Sequence, residues 1–202
     1  MARTGMGDLI AQVRRLTNAG TAEYAVDENS YWSDDQIQSL LDANSRFFSN
    51  ELVQWTPQNI SGMSTYLYGY TPYGYLEGTA SGTARLVVRD GDGEVVASGY
   101  TINEEKGEII FDSDQNGNSY YITGYTYNPY SAAADLWLER LAQFSLWYQF
   151  SADTRSYSRQ QAFEHAEKME KLMRQRAAKG DVVNTSGGDV KLTPWVRIDV
   201  NG

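Results

Sequence analysis

The segment Tyr31–Leu52, YWSDDQIQSLLDANSRFFSNEL, constrains the fold most, because it marks both where a helix begins and which face it buries. Ser33 suits the N-cap, and Gln36 three residues later completes a capping box, which satisfies two otherwise orphaned backbone N–H groups. Trp32 before the cap and Ile37 after it are spaced for a hydrophobic staple. Asp34 and Asp35 fall in the first turn, where the helix dipole favours negative charge. Ile37, Leu40, Leu41, Phe47, Phe48 and Leu52 recur at helical spacing, which predicts one amphipathic helix across the segment. Trp55–Thr56–Pro57 is read as its end, since proline disfavours helical backbone in the preceding residue.

An earlier helix is expected from Asp8 to Asn18, with Leu9, Ile10, Val13 and Leu16 on one stripe. From Gly62 to Tyr130 the texture changes to Gly, Thr, Tyr and Val with period-2 alternation. Arg85–Arg89 and Glu94–Ser98 flank Asp90–Gly91–Asp92–Gly93, a hairpin signal. Glu108–Phe111 and Tyr120–Tyr127 flank a second polar turn. Helix resumes at Ser131, where Leu136, Trp137, Leu138, Leu141, Phe144, Leu146, Trp147 and Tyr148 leave little polar circumference, as in an enclosed helix. A second capping box, Ser158 with Gln161, opens a helix to Lys179, with Gly180 as its C′ residue.

Val182–Asp189 reads as a Gly/Ser/Asn linker. Leu192–Val200 alternates Trp195, Arg197, Asp199 against Val196, Ile198, Val200, and such a strand seeks a sheet edge. The expected fold class is α+β: an α-helical bundle core of about four helices with an inserted small antiparallel β module of roughly three to five strands and an extended C-terminal strand-like tail. The bundle would comprise residues 1–61 and 131–180, the β module 62–130, and the linker and docking tail 181–202.

Composition narrows the function. Formal charge is −9, with 26 acidic against 17 basic residues. That argues against a protein whose main task is gripping phosphates, which requires clustered Lys and Arg. No cysteine is present, so disulfides and Cys-ligated zinc are excluded. The N-terminus lacks the apolar core of a signal peptide, and the most apolar run, Leu136–Phe150, is too short and too interrupted to span a bilayer. A chain that is soluble, unexported and not membrane-bound is expected.

No residue set reads as catalytic, and no cofactor is implied. Asp112–Ser113–Asp114–Gln115–Asn116–Gly117 matches the first half of a calcium loop, which makes Asp112, Asp114 and Asn116 the one metal candidate. The twelfth position is Thr123 rather than the bidentate Glu that such a loop needs, and a hairpin turn explains the same residues. His165 stands without a nucleophile signature. Glu104, Glu105 and Glu108 read as turn residues, since sequence neighbours rarely face each other across a cleft as a glycosidase pair must. Lys168, Lys171, Arg174, Arg176 and Lys179 interleave with Glu164, Glu167 and Glu170, as on a salt-bridged helix face. Tyr66, Tyr68, Tyr70, Tyr73 and Tyr75 suit either a sugar platform or a protein interface.

The order of short helix, W-S-D-D-x-I-x-x-L-L-D helix, β insertion, two further helices and extended tail resembles the head–tail adaptor (connector) proteins of tailed bacteriophages. Trp32, Ser33, Asp34, Asp35, Ile37, Leu40, Leu41 and Asp42 carry the resemblance, and the β insertion departs from the minimal family pattern. The resemblance implies a non-enzymatic virion protein made in the host cytoplasm. It would form a ring, usually a dodecamer, that docks beneath the portal, meets a tail or neck protein below, and passes DNA without sequence-specific binding. Helical-core packing would fall to Trp32, Ile37, Leu40, Leu41, Phe47, Phe48, Leu141, Phe144 and Trp147. The portal or neighbouring subunit would be met by Leu192, Trp195, Val196, Arg197, Ile198 and Val200. The rival expectations are a carbohydrate-binding or adhesin module on the Tyr-rich segment, and a small hydrolase using the acidic turns.

Overall fold

The capping box at Ser33 forms. Ser33 Oγ accepts from the Gln36 N–H at 3.3 Å, and Gln36 Oε1 accepts from the Ser33 N–H at 2.8 Å. Trp32 and Ile37 are buried in one cluster, as a staple requires. Trp32 has φ 66°, a left-handed conformation that costs a bulky residue about 1–3 kcal/mol. Its surroundings hold it there: the ring is buried, and its carbonyl accepts from Arg14 Nη2 at 3.0 Å.

These observations come from a computed structural model that describes residues 2–18, 25–26, 29–30, 32–78, 85–148 and 156–179, with main chain alone at 25–26, 29–30, 144–148 and 156–159. A 3-10 turn at Thr4–Met6 leads into α1 (Gly7–Thr17). The two-residue strands β1 (Ala25–Val26) and β2 (Asn29–Ser30) pair, and α2 (Asp34–Ala43) follows. Then come β3 (Ser45–Leu52), β4 (Gln54–Ile60), β5 (Met63–Tyr70), β6 (Val87–Asp90), β7 (Tyr100–Asn103), β8 (Glu108–Phe111) and β9 (Tyr120–Tyr127). Helices α3 (Pro129–Tyr148) and α4 (Ser156–Lys179) complete the described chain.

Helix α2 ends at Ala43, not at Leu52. Asn44 Nδ2 donates to Leu40 O and Ser45 Oγ to Asp42 O, so side chains take up carbonyls that a longer helix would use. Phe47 and Phe48, expected in the helical core, instead point to opposite faces of β3, which pairs antiparallel with β9. Adjacent apolar residues fit either period, and the ladder with β9 overrides the helical one. Pro57 does not stop a helix. It lies in the edge strand β4 at a register shift between Thr56 and Gln58, a position where its missing N–H is tolerated.

The helical-bundle core expected from sequence is therefore corrected. Among the described residues, seven strands form two antiparallel sheets, ordered β3–β9–β6 and β4–β5–β8–β7. The strands of these two sheets begin at Ser45 rather than Gly62, and β8 and β9 belong to different sheets instead of forming a hairpin. The tail and linker expected at 181–202 lie outside the described residues, as does Gly180. Helix α4 begins at Ser156, ahead of the expected cap at Ser158.

Three clusters carry the burial. Phe48, Val88 and Ile122 from one sheet meet Ile109 and Phe111 from the other, with Val53, Leu76 and Leu86 between them. Met6, Leu9, Ile10 and Val13 of the first helical segment meet Trp32, Ile37 and Leu41, and this group reaches Leu136 of α3 and Tyr127 of β9. Ala133, Ala134 and Trp137 of α3 pack on Ala166 and Met173 of α4, the small residues permitting close approach. Asn128 starts α3 by accepting from the Ser131 N–H at 3.0 Å, and Pro129 takes the first helical position, where no N–H is needed.

The turn between β7 and β8 fixes the sheets to the loop after β5. Gly107 has φ 63°, its carbonyl accepts from Thr71 N at 2.9 Å, and a Cβ there would overlap Tyr73 O. Gly62 has φ 83° but faces open space. Urea unfolding should show Gly62→Ala costing about 1 kcal/mol and Gly107→Ala costing about 3 kcal/mol or more, since only the second adds a backbone clash to the strained φ. Equal costs would contradict this packing.

Candidate functional site

A heavily bonded polar group joins four segments. Arg3, ahead of α1, places Nη1 and Nη2 on the two carboxylate oxygens of Asp42 at 2.8 and 2.6 Å, a bidentate pair with the end of α2. Its Nε donates to Glu77 Oε1 at 3.0 Å, and its main-chain N–H donates to Gln38 Oε1 at 2.6 Å. Glu77 is only 3% exposed, and its other oxygen accepts from the Tyr127 hydroxyl at the end of β9. Gly5 and Gly78 close the junction, with Gly78 N donating to Gly5 O at 3.0 Å; a Cβ on Gly5 would press on Gly78 O.

The hydrogen bonds to Asp42 and Glu77 raise the Arg3 pKa further, against the pull of burial. Burial works to raise the Asp42 pKa, but the bonds and charge of Arg3 outweigh it and leave the carboxyl below its usual value. Burial and the Glu77 bond raise the Tyr127 hydroxyl. These shifts keep Arg3 charged, Asp42 ionised and the Tyr127 hydroxyl protonated near neutrality, which suits a structural joint rather than proton transfer. Sequence reading missed it. The one signal was Glu77 itself, a lone carboxylate closing a run from Leu52 to Leu76 that contains no charged residue.

Two apolar surfaces stand apart from this joint. The β4–β5 hairpin turns at Ser61–Gly62, both at positive φ, as a tight two-residue hairpin turn requires. Strand β5 pairs with β8 only at Tyr68–Tyr70, so the outer part of the hairpin projects past the sheet. Ile60 (49% exposed) and Met63 (71% exposed) are paired at its tip. The second surface is the outer face of the β3–β9–β6 sheet. Phe47 (54% exposed) lies opposite Tyr125, with ring centroids 5.2 Å apart, and Leu52 (51% exposed) lies opposite Tyr121.

The tyrosines grouped by sequence separate in space. Tyr66, Tyr68 and Tyr70 lie on β5; Tyr66 meets Trp55 edge-on at 6.2 Å, and Tyr70 donates to Glu108 Oε1 at 2.7 Å. Burial first, then that bond, push the Tyr70 hydroxyl up to about 12. Tyr73 packs against Phe48 in the inter-sheet cluster, with ring centroids 4.7 Å apart, and Tyr75 packs against the helical cluster. They do not form one platform.

Asp112, Asp114 and Asn116 lie in the crossing from β8 to β9. Asp114 Oδ1 accepts from the N–H groups of Tyr66 and Asn116 at 2.9 and 3.0 Å, and these bonds hold its carboxyl below the usual range. The carboxylate therefore docks this crossing onto β5. Among the described residues, no three His, Cys, Asp or Glu side chains gather as a metal site. Glu104 and Glu105 anchor their turn through main-chain carbonyls that accept from Leu76 and Tyr75 N–H. Exposed His165 sits edge-on to Trp137, with centroids 5.8 Å apart.

On α4, Lys171 bonds Glu167 at 2.6 Å, and Arg174 bonds Glu170 at 3.0 Å and Asp135 of α3 at 2.9 Å. Leu40 packs against the helical cluster and Leu141 against the α3–α4 cluster. The side chains of Phe144 and Trp147, and the whole of Leu192, Trp195, Val196, Arg197, Ile198 and Val200, lie outside the described residues. No described helix is long and apolar enough to cross a membrane.

The Arg3–Asp42 pair makes a pH prediction. Asp42 has a depressed folded pKa, so its contribution is fully present above the unfolded value of 3.8 and is lost as pH falls through the folded one. Asp42→Asn should cost about 1 kcal/mol at pH 7, because the pair is partly solvent-exposed. The gap from wild type should close on acidification below about pH 4. A gap that is constant with pH would contradict the assignment.

Comparison with protein-family models, curated proteins and solved structures finds no match to this chain.

Proposed function

We propose that the chain is a ring-forming structural protein of the tailed-phage neck, a head–tail adaptor that joins the portal to the tail and continues the DNA channel. The observation that carries this reading is the presence of two separate exposed apolar surfaces on one acidic chain, Ile60/Met63 and Phe47/Leu52. A ring needs two different surfaces per subunit, one for each neighbour, whereas a closed dimer needs one. The W-S-D-D helix start adds support, because its residues seat α2 against α1 and α3 in the way a helical platform for docking would need. Net acidity suits a channel through which DNA moves, since clustered cations would hold phosphates in place.

The partners in this reading are further copies of the chain, the portal protein above and a tail or neck protein below, with DNA in transit. The residue proposed to reach the portal or a neighbour are those of the tail, Leu192 to Val200. No reaction is assigned to the chain. A sugar platform would need the tyrosine rings together on one open face, and Tyr73 and Tyr75 are committed to two different cores.

Light scattering after size exclusion, on the chain alone and mixed with portal rings, tests the reading. The expected result is a ring-sized species that co-elutes with portal; a strict monomer that ignores portal and binds glycans would overturn it. Removing residues 190–202 should weaken portal docking or ring formation and leave the far-ultraviolet circular dichroism unchanged. Undiminished assembly would refute the role given to the tail.

A further inference from the structure

The two apolar surfaces are also poor in negative charge. From Leu52 to Leu76 the chain has no Asp, Glu, Lys or Arg, although it carries 26 acidic and 17 basic residues in all. The whole projecting hairpin lies within that run. On the outer face of the three-stranded sheet, the pairs Phe47–Tyr125 and Leu52–Tyr121 flank Thr123, and β6 sets Val87 beside Thr123 and Arg89 beside Tyr121. Arg85 places its guanidinium 5.0 Å from the centre of the Tyr125 ring. At the Tyr125 end that guanidinium also lies 3.9 Å from the buried Glu77 carboxylate, and no carboxylate is set on the strand positions of this face between Phe47 and Leu52. Glu51 belongs to the opposite face, where it is paired with Ile122 and accepts from the Tyr73 hydroxyl at 3.2 Å.

Two copies of a chain with formal charge −9 repel each other, and the repulsion is weakest where neither surface presents a carboxylate. The hairpin tip and the sheet face meet that condition, and each exposes apolar side chains that contact would remove from water. The tip is narrow and projecting. The face is broad and belongs to the other sheet. Pro57 and the register shift beside it spoil the edge of β4 for strand addition, leaving the tip as the reactive end of the hairpin.

We infer that the β4–β5 hairpin tip of one copy, Ile60 and Met63, seats on the Phe47–Leu52 face of a second copy. The inference rests on the ring reading and deepens it by naming the contact. Tip-to-face contact is heterologous: each copy offers a tip to one neighbour and a face to the other, so the arrangement propagates until a ring closes. The β4–β5 hairpin is then the element that joins subunits.

A pair of point variants tests this through complementation. Met63→Asp removes the tip and keeps the face; Phe47→Asp removes the face and keeps the tip. Each variant alone should sediment as a monomer under conditions where wild type forms rings. Mixed in equal amounts, they should form a heterodimer and nothing larger, because one contact remains and cannot propagate. That heterodimer also demonstrates that both variants fold. The chain's lack of cysteine allows a covalent check: with Ser61→Cys and Leu52→Cys copies mixed and oxidised, a disulfide-linked mixed dimer is expected.

Rings that persist in either single Asp variant overturn the contact and leave the ring reading standing. A mixture that stays monomeric and forms no mixed disulfide, beside assembling wild type, likewise overturns the contact. A wild-type chain that stays monomeric throughout, with and without portal, removes both.

Discussion

The buried Glu77 carboxylate organises the parts of the molecule that the hydrophobic clusters alone would leave loosely joined. Taking a carboxylate out of water costs several kcal/mol unless opposing charge and hydrogen bonds meet it, and Glu77 is met by Arg3 and by the Tyr127 hydroxyl. Arg3 in turn is fixed by Asp42 at the end of α2. One side chain from each of four segments thus meets in a single network. The N-terminal segment, α2, the loop after β5 and the end of β9 are tied together through it.

That joint positions the surfaces. It holds the end of β9 against the helical cluster, and β9 is the central strand on which β3 and β6 are built. The outer face of this sheet is thus covered by helices at the Tyr127 end and open at Phe47 and Leu52. The second sheet is held from the other side, where Trp55 packs on Phe111 and Tyr120 with ring centroids 5.2 and 5.8 Å apart. Trp55 Nε1 also donates to Asn118 O at 2.8 Å, which ties the base of the hairpin to the β8–β9 crossing. The hairpin therefore projects from a braced base, as a contact element must if it is to be presented in one orientation.

Much of this was legible from sequence where the signal is local. The capping box and staple at Trp32–Ile37 depend on residues a few positions apart, and they formed as spaced. The end of α2 was not legible, because Phe47, Phe48 and Leu52 satisfy a helical period while the competing partner, β9, lies some seventy residues away. The crossing between sheets at Asp112–Ser119 resembles a hairpin turn in sequence for the same reason: Asp, Asn and Gly mark a turn but not which sheet the next strand joins. Tyr66–Tyr75 carries one run of tyrosines in sequence, but the chain leaves the sheet at the end of β5, where Tyr73 and Tyr75 turn into different cores. The Arg3–Glu77–Tyr127 joint was hidden by sequence separation.

In the proposed assembly, this fold presents complementary surfaces to its own copies beneath a portal. Electron cryo-microscopy of the chain mixed with purified portal rings tests it most directly. The expected result is a closed ring of this chain on the portal, with each hairpin density resting on the three-stranded sheet of the next subunit. Bare portal rings beside free single chains would contradict it.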